Sequence, residues 1–571
     1  MKWYFQDRPA DARARQDDSN APPGLVSLPE ALLERHGARV LDPGKAAALS
    51  IDQTPPQPTI YRARTLLIPD YLLQDGDFLN DTDAPLRRVG MMLTSPDPDP
   101  DLAEGEGEIF QELRELPRLA VLVPHPDSRT PVVVDAWVAL QALRAAAGSP
   151  DNRKLDNANV LQIELEYVTV GSGITGSPID NGGGGIAGGP GNGSDVSGPS
   201  TTDSYLFNGG DPRTPVAVLL DTPTYKSDAQ CDSQYGKRPV VAVLDTGVGP
   251  NLWLEVAPEG AGGITAGGPM ADDPSIQAAI YAEGQHAVAR GDRPRQLIKD
   301  VWDKPMTANP LVGELSPASG HGTFIAGIVR QVAPDARILA LRVMHSDDIA
   351  YTGDILCALR HLAKRIALGA QDDVAAMVDV VSLSFGYFGE SPDSVASNSG
   401  LWRAIKVLLG LGVVVVAAAG NYATWRRFYP AAFATEAVLP DEVPVISVGA
   451  LNPNGTKAVF SDDGDWVTAF AQGALVLSTY PTDINASRSP ELRMPADPTP
   501  PKRAALKPDD FTDGWALWSG TSFSAPYVAA LVIRSLQKGA TDAGLRLDLP
   551  GRNDRAVAAV ERLRQQGHQD G

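Results

Sequence analysis

The chain has 571 residues, of which 43% are hydrophobic and 21% are charged, and its formal net charge is −21. One hydrophobic core rarely supports a chain of this length, so we expect at least two folded units. An acidic surface repels phosphate backbones, and we therefore expect no nucleic-acid partner.

The number of cysteines and the absence of long apolar segments indicate the cellular compartment in which the protein is expected. The two cysteines, Cys231 and Cys357, exclude a disulfide framework and favour free thiols in a reducing environment. Residues 1–20 lack the apolar segment of a secretory signal, and the longest apolar run, 407–419, is shorter than a membrane span. We therefore expect a cytoplasmic protein without a membrane partner.

Residues 1–170 are predicted to form a small α/β N-terminal domain. Its first part, up to about residue 55, is rich in Pro, Asp and Arg and is expected to be loosely ordered. Apolar patterning then predicts strands at 62–73, 119–124 and 161–170 and a helix at 132–147. That helix would carry Val133, Trp137, Leu140 and Leu143 on one side. The order strand, helix, strand is typical of a small α/β domain.

A glycine-rich linker is predicted at residues 171–210. The window 171–200 holds 12 glycines mixed with Ser, Asn, Asp and Pro, and such a composition can bury little apolar surface. We place the main boundary of the chain in this segment.

Residues 211–540 are predicted to form the second and larger unit. Continuous apolar strands alternate with amphipathic helices, which indicates an α/β fold with a doubly wound parallel sheet and helices on both faces. The strands are expected at 239–244, 336–343, 378–384 and 412–419, and the helices at 322–331, 355–367 and 401–411. Sites in such sheets lie beyond the carboxyl ends of the strands. The C-terminal tail, 541–571, carries one more predicted helix at 554–566.

Three segments hold candidate catalytic residues. Asp245 ends the apolar strand in VVAVLDTGVGP, where a carboxylate can orient a histidine from a neighbouring loop. His321 lies between two glycines in SGHGTFIAGIV, and these leave room for the imidazole. Ser522, in WSGTSFSAPYVAALV, begins a helix, where backbone N–H groups can stabilise an oxyanion. Taken singly, each has a structural reading: a turn-forming Asp, an exposed His, and a Ser that caps a helix.

Together the three segments resemble the subtilase family of serine proteases. The resemblance rests on the order Asp, His, Ser and on three short motifs: Asp245-Thr246-Gly247, Gly320-His321-Gly322-Thr323 and Gly520-Thr521-Ser522-Phe523-Ser524-Ala525-Pro526. It covers about residues 238–536. It implies a subtilisin-like fold and a serine endopeptidase that uses Asp245, His321 and Ser522 as its triad and passes through an acyl-enzyme.

The resemblance also assigns residues around the triad. Asn421, after the strand VVVVAAAGNYA, matches the side-chain donor of the oxyanion hole, which it would share with the Ser522 backbone N–H. Substrate-binding residues implied by the family are Ser384, Phe385 and Gly386 on one side of the cleft, and Ala418, Ala419 and Gly420 on the other. Pairing of substrate with such an edge strand makes few demands on its side chains. A peptide or protein substrate is the partner this implies.

The departures from the family pattern leave several points open. Two insertions, around 251–317 and 483–514, are expected at the surface, either as lids or as solvated decoration. No metal ligands are predicted and no cofactor is required; a structural calcium ion elsewhere stays open but is not indicated. Residues 1–170 could be an inhibitory prodomain or an unrelated accessory domain. A narrow processing protease and a peptide-binding pseudoenzyme are the alternatives to a general endopeptidase, and the oligomeric state is not predicted.

Overall fold

The computed structural model of the chain describes residues 2–6, 28–44, 56–99, 107–149, 153–173, 205–207, 212–304, 315–372, 377–390, 399–484 and 510–567. The strands are β1 Trp3–Phe5, β2 Ala38–Leu41, β3 Thr59–Pro69, β4 Met91–Thr94, β5 Pro117–Pro124, β6 Glu164–Gly171, β7 Thr214–Pro215, β8 Val240–Asp245, β9 Met270–Asp272, β10 Arg337–Arg342, β11 Ile349–Tyr351, β12 Val380–Leu383, β13 Phe385–Gly386, β14 Val414–Ala418, β15 Ile446–Leu451, β16 Ala469–Gln472, β17 Val476–Thr479 and β18 Trp515–Trp518. The helices are α1 Glu30–Arg35, α2 Asp70–Leu73, α3 Gly76–Arg88, α4 Glu108–Glu115, α5 Ala136–Ala146, α6 Asn157–Val160, α7 Asp228–Tyr235, α8 Pro274–Arg290, α9 His321–Val332, α10 Thr352–Asp372, α11 Gly400–Gly410, α12 Thr521–Ala543 and α13 Arg552–Gly567.

A parallel sheet forms the centre of the larger unit. Its strand order is β1-β16-β15-β14-β12-β8-β10-β9, and only the edge strand β1 runs antiparallel to its neighbour. The inner strands are apolar on both faces, as in the fully buried VVAVLD of β8, because helices cover the sheet from both sides. The predicted fold class, a doubly wound parallel sheet, is confirmed.

The two faces of this sheet belong to two separate hydrophobic clusters. Alternate residues along β8 divide between them: Val241 and Val243 pack with α9, α12 and α13, whereas Val240, Ala242 and Leu244 pack with α8, α10 and α11. This alternation follows from the period of two along a strand. The helix α12, whose second residue is the predicted nucleophile, packs against β12, β14, β15 and β16.

A smaller antiparallel sheet forms the N-terminal unit. Its strand order is β6-β3-β5-β4, and along the chain at least one helix lies between each two consecutive strands of this set. The helices α3 and α5 lie on one face of this sheet, and its strands β5 and β6 contact α8 and α10 of the larger unit. Residues of both units therefore belong to one continuous apolar cluster, which includes Leu119 of the N-terminal unit and Ile280 and Leu356 of the larger unit.

A buried ionic cluster also joins the two units. Glu166, on β6, accepts hydrogen bonds from Arg295 at 3.0 Å, and Arg295 also contacts Asp292 at 3.1 Å and Asp354 at 2.5 Å. From the N-terminal unit, Arg62 reaches Asp292 at 2.5 Å. All five side chains are almost fully buried, so their partners must stay in place for the charges to be tolerated.

Two local predictions in the N-terminal unit need correction. The strand expected at 62–73 occupies Thr59–Pro69 and is followed by the short helix α2. The helix expected at 132–147 begins only at Ala136, because the Asp135 side chain caps it by accepting from the N–H groups of Trp137 and Val138. Val133 therefore precedes the helix and is 73% exposed instead of lying on its apolar side.

Three long-range details differ from the prediction. Trp3–Phe5 pairs with Ala469–Ala471 and so adds the edge strand β1 to the sheet of the larger unit. The predicted surface insertion 251–317 contains β9, which pairs with β10, and α8, which packs on α10. The insertion predicted at 483–514 lies mostly outside the described residues. The predicted tail helix occupies Arg552–Gly567 and packs on α12.

Candidate active site

Asp245 and His321 meet at the carboxyl edge of the parallel sheet. Asp245 is the last residue of β8 and His321 the first of α9, and Asp245 Oδ1 lies 2.7 Å from His321 Nδ1. Both side chains are buried, and the rings of Trp518 and Phe523 lie against the imidazole. A carboxylate bonded to Nδ1 holds the tautomer in which Nε2 carries a free lone pair. The pair is thereby oriented for proton transfer at Nε2.

Two glycines in the quoted motifs allow this close approach. A Cβ atom at Gly322 would lie 2.2 Å from the carbonyl oxygen of Gly247. Gly247 itself has φ +95°, and a Cβ there would lie 2.1 Å from the carbonyl oxygen of Val301. A side chain at Gly322 would push the loop after Asp245 away from the first turn of α9, and one at Gly247 would push the same loop away from Val301.

Ser522 is the second residue of α12 and is fully buried. Its hydroxyl donates to the carbonyl oxygen of Ser384 at 3.1 Å, and the Ser384 hydroxyl donates in turn to the Ser522 carbonyl at 3.0 Å. Within the described residues, His321 Nε2 has no hydrogen-bond partner. The serine hydroxyl is thus bonded to Ser384 and not to the imidazole.

Asn421 and the Ser522 backbone N–H converge on a single carbonyl oxygen. Asn421 Nδ2 donates to the oxygen of Ser172 at 2.6 Å, and the Ser522 N–H donates to the same oxygen at 2.9 Å. The amide of Asn421 is oriented by its other end, because Oδ1 accepts from the N–H and the hydroxyl of Thr521, each at 3.0 Å. The predicted oxyanion donors therefore surround a peptide carbonyl of this same chain.

The carbonyl at this position belongs to the segment that leaves the N-terminal unit. The end of β6 lies between two strands of the larger unit: Val170 is paired with Ile349 of β11 and with Gly386 of β13. The Ser172 N–H donates to the Ser384 carbonyl at 3.0 Å. The next residue, Gly173, lies beside the imidazole, since a Cβ built on it would be 3.0 Å from His321 Nε2.

This arrangement brings three of the six predicted substrate-binding residues to the segment. Ser384, Phe385 and Gly386 pair with it as an edge strand. Ala418, Ala419 and Gly420, predicted as the opposite wall, are buried at the end of β14 and just after it. The Ala419 N–H donates to the Val448 carbonyl, and the Gly420 N–H donates to the Thr521 hydroxyl. The linker predicted to start at residue 171 thus begins inside the cleft, and residues 174–204 and 208–211 lie outside the described residues.

Asp303 is a site residue that sequence reasoning missed. Its Oδ2 accepts from the Thr246 hydroxyl at 3.0 Å and from the Gly320 N–H at 2.7 Å, which ties the residue after Asp245 to the residue before His321. Burial raises the pKa of the Asp303 carboxyl to about 6, although Arg342 opposes this shift, and the charge of Asp245 adds to it. No motif marked this residue, because it lies in the segment predicted as a surface insertion.

Asp462 supports the loop that carries Asn421. Its Oδ1 accepts from the N–H groups of Tyr422 at 2.9 Å and Thr424 at 3.0 Å. Burial raises the pKa of its carboxyl well above the usual range. The sequence offered no signal for this role, because Asp462 lies 41 positions after Asn421 in a polar turn.

The described residues contain neither a metal-ligand cluster nor a helix suited to cross a membrane. Among them, no group of three or more His, Cys, Asp and Glu side chains is arranged to hold a metal ion. In the same part of the chain, none of the helices combines the length and the apolar character that crossing a bilayer requires.

Comparison with known proteins identifies the larger unit. The profile of the subtilase family matches residues 236–546, which is more than half of the chain and includes Asp245, His321, Asn421 and Ser522. The chain belongs to the subtilase family. The sequence-based identification is thus confirmed, and residues 1–235 lie outside the matched region.

Individual subtilases resemble parts of the chain. Thermitase from Thermoactinomyces vulgaris is 33% identical over 181 residues, which are 30% of this chain and 55% of thermitase. Subtilisin from Bacillus sp. strain TA39 is 29% identical over 232 residues, 38% of this chain and 46% of that subtilase. The chain thus spans about half the length of these relatives. Fervidolysin from Fervidobacterium pennivorans, a keratinolytic enzyme related to subtilisin, is a solved structure with 18% identity, a TM-score of 0.38, and coverage of 84% of this chain and 55% of its own.

Proposed function

We propose that this subtilase is a serine endopeptidase that first cleaves its own chain between Ser172 and Gly173 and is then inhibited by the N-terminal unit it has released. Asp245, His321 and Ser522 form the triad of this proposal, and Asn421 completes the oxyanion hole. The observation that carries it is the Ser172 carbonyl oxygen, which receives hydrogen bonds from both Asn421 Nδ2 and the Ser522 N–H. A carbonyl held by two such donors is polarised for attack.

The first step forms the acyl-enzyme. The Ser522 hydroxyl leaves its bond with the Ser384 carbonyl by rotation about Cα–Cβ, and Oγ attacks the carbonyl carbon of Ser172. Its proton passes to His321 Nε2 while the carbonyl electron pair moves onto oxygen, where the two donors hold the negative charge. When the oxyanion collapses, the C–N bond to Gly173 breaks, and the proton on Nε2 goes to the leaving amine.

Hydrolysis then completes the cycle. Water enters the place left by Gly173, gives a proton to His321 Nε2 and attacks the ester carbon of Ser172. Collapse of the second oxyanion returns that proton to Ser522 Oγ and leaves a carboxylate on Ser172. Asp245, bonded to Nδ1 at 2.7 Å, keeps the imidazole in one tautomer throughout and stabilises its charged form.

The contacts of the N-terminal unit with the larger unit support its retention after cleavage. The segment ending at Ser172 pairs on both sides with β11 and β13, and the remaining contact includes the shared apolar cluster and the buried ionic cluster around Arg295. None of these contacts requires the bond that is cut. The cleaved fragment 1–172 is therefore expected to block the cleft until it is removed.

The function is tested by following newly synthesised full-length chains in a cell-free system. The wild type should yield two fragments whose masses correspond to an end at Ser172 and a start at Gly173, and Ser522→Ala should stay intact. Ser535→Ala is the matched control, because Ser535 lies in the same helix but bonds only to Ala559 at 2.8 Å and Arg562 at 3.1 Å; it should cleave like the wild type.

A fluorophosphonate probe distinguishes an active peptidase from a peptide-binding pseudoenzyme. Labelling of Ser522 in processed wild type, after fragment 1–172 has been removed, would support an active nucleophile. A wild-type chain that folds, stays intact and takes no label would refute the proposal and favour a peptide-binding pseudoenzyme. Cleavage at 172–173 that persists in Ser522→Ala would refute the role of this serine.

A further inference from the structure

The residue that precedes Ser172 occupies a subsite that is closed by a carboxyl group. Gly171 lies in β6, and a Cβ atom built on it would be 2.2 Å from Asp348 Oδ1, 3.2 Å from Asp348 Cγ and 3.4 Å from Met344 Sδ. Contacts below 3 Å do not occur at real Cβ atoms without displacement of a neighbour. Gly171 is not among the residues with positive φ, so its backbone would accept any side chain. A side chain at this position would instead require the Asp348 carboxyl group to move.

Asp348 is held where it can exert this exclusion. It is fully buried, its N–H donates to the His345 carbonyl at 3.0 Å, and its own carbonyl accepts from the Gly171 N–H at 3.3 Å. Its φ of +74° lies in the left-handed region, which is costly for a residue other than glycine. A strained non-glycine residue whose carboxyl enters the cleft is a feature that function, more often than stability, retains.

We propose that Asp348 restricts this subsite to glycine, so that the substrates of the peptidase are extended segments with glycine immediately before the residue whose carbonyl is attacked. The inference rests on the proposed function, because it describes the same cleft acting on Ser172. Gly171 lies in β6, which pairs with β11 and β13, so the restriction acts on a segment already paired through its backbone. The glycine-rich stretch of this chain meets the requirement at Gly171.

A carboxyl group in a subsite would, in another geometry, select lysine or arginine. Here the oxygen meets the position of Cβ itself, and a long side chain must pass that point before its charge could reach the carboxyl group. Steric exclusion therefore applies to alanine and lysine alike, and glycine is the residue that leaves the pairing with Ile349 and Gly386 undisturbed.

The first test follows self-cleavage of full-length chains from cell-free synthesis. Gly171→Ala should slow the appearance of the fragment that starts at Gly173 by about tenfold or more, as expected for an overpacked contact. Adding Asp348→Gly should return the rate to near that of Asp348→Gly alone, since a glycine suits the φ of this position and removes the obstruction. The matched control is Gly76→Ala, because a Cβ at Gly76 meets no atom within 4 Å.

The second test uses peptides and does not depend on the folding of the Gly171 variant. Processed wild-type enzyme, freed of fragment 1–172 and quantified by active-site titration, is given quenched peptides Thr-Val-Xaa-Ser-Gly in which Xaa is Gly, Ala or Lys. The Gly peptide should have the highest kcat/KM, by about tenfold or more, and Asp348→Gly should cut the Ala peptide nearly as well as the Gly peptide.

The outcomes separate the inference from the function on which it rests. Gly171→Ala cleaving as fast as the wild type, an unrescued double variant, or a preference for the Lys peptide would overturn the selection of glycine while leaving the peptidase intact. A wild-type chain that never cuts between Ser172 and Gly173, and never cuts the Gly peptide, would instead overturn the proposed function.

Discussion

Asn421 Nδ2 lies 2.6 Å from the carbonyl oxygen of Ser172, although 249 positions separate the two residues. The Ser522 N–H reaches the same oxygen from the start of α12. A side-chain donor of the larger unit is thus bonded to the last residues of the N-terminal unit. In the folded chain, the segment ending at Ser172 therefore occupies the cleft.

The contribution of Asn421 can be measured through self-cleavage. Asn421→Ala removes one of the two donors to the developing oxyanion, and the rate of cleavage after Ser172 should fall by about 10²–10³-fold. The rate is measured by mass spectrometry of chains from cell-free synthesis. Asn454→Ala, at an exposed asparagine, is the control and should change little. A loss below about threefold for Asn421→Ala would mean that this amide does not stabilise the transition state.

Asp303 should give the unfolding free energy a distinctive pH dependence. The folded pKa, about 6, exceeds the value of about 3.9 expected in the unfolded chain, so the folded state binds more protons between these values. The contribution of Asp303 is therefore favourable at low pH and is lost as the pH rises from about 4 to about 6. The side chain of Asp303→Asn cannot ionise. Between about pH 4 and pH 6, the free energy of unfolding of this variant should therefore rise relative to that of the wild type, by up to about 3 kcal/mol.

The measurement is urea unfolding at several pH values in the Ser522→Ala background, which prevents proteolysis. Asparagine can keep both bonds of Asp303, because Thr246 and Gly320 donate to one oxygen, so the variant also leaves the geometry in place. Asp303→Ala removes that acceptor and should lower cleavage in the active chain. Parallel stability curves for wild type and Asp303→Asn would show that the buried carboxyl group is not the cause.

The contact between Gly322 and Gly247 predicts a severe effect of a single methyl group. In Gly322→Ala the new Cβ would lie 2.2 Å from the Gly247 carbonyl oxygen, and relief of this clash must separate Asp245 from His321. We expect self-cleavage to be lost, with a loss of stability of about 1–3 kcal/mol. Fragment analysis and thermal unfolding check both. Gly76→Ala should change neither self-cleavage nor stability. Self-cleavage of Gly322→Ala at the wild-type rate would show that the close contact between Gly322 and Gly247 is not required.

Removal of Glu166 should weaken the hold of the N-terminal unit. Glu166→Ala leaves Arg295 without the carboxylate that bonds both of its terminal nitrogens, and breaking a buried pair of this kind costs about 3–5 kcal/mol. After self-cleavage, fragment 1–172 should dissociate more readily, and activity on an added peptide should appear earlier. Glu166→Gln, which keeps a hydrogen-bond acceptor, should lie between the two.

The control for this experiment is Glu30→Ala, since Glu30 is exposed on α1. Copurification of fragment 1–172 with the larger fragment, measured by size-exclusion chromatography, gives a second readout. Equal retention in Glu166→Ala and wild type would mean that the apolar cluster alone holds the two units together.

Local sequence patterns were sufficient to predict the strands and helices on which the candidate site residues lie. The run VVAVLD, apolar along its whole length, predicted the buried strand that ends at Asp245, and the glycines around His321 predicted the close approach seen at Gly247 and Gly322. Predictions that depended on a single boundary were less accurate. The helix expected at residue 132 begins after the cap at Asp135, because a side-chain bond to two N–H groups outweighs apolar spacing there.

The sequence by itself determined the parallel α/β sheet, the family, and the residues that could form a triad and an oxyanion hole, because each is encoded in a short run with its own periodicity or chemistry. Only the tertiary structure decided which atoms meet across long separations: Ser172 with Asn421, Asp348 with Gly171, and Asp303 with Thr246 and Gly320. These contacts depend on strand register and on the docking of one unit onto another. Both are set by the summed packing of many residues, and no local pattern of the chain records them.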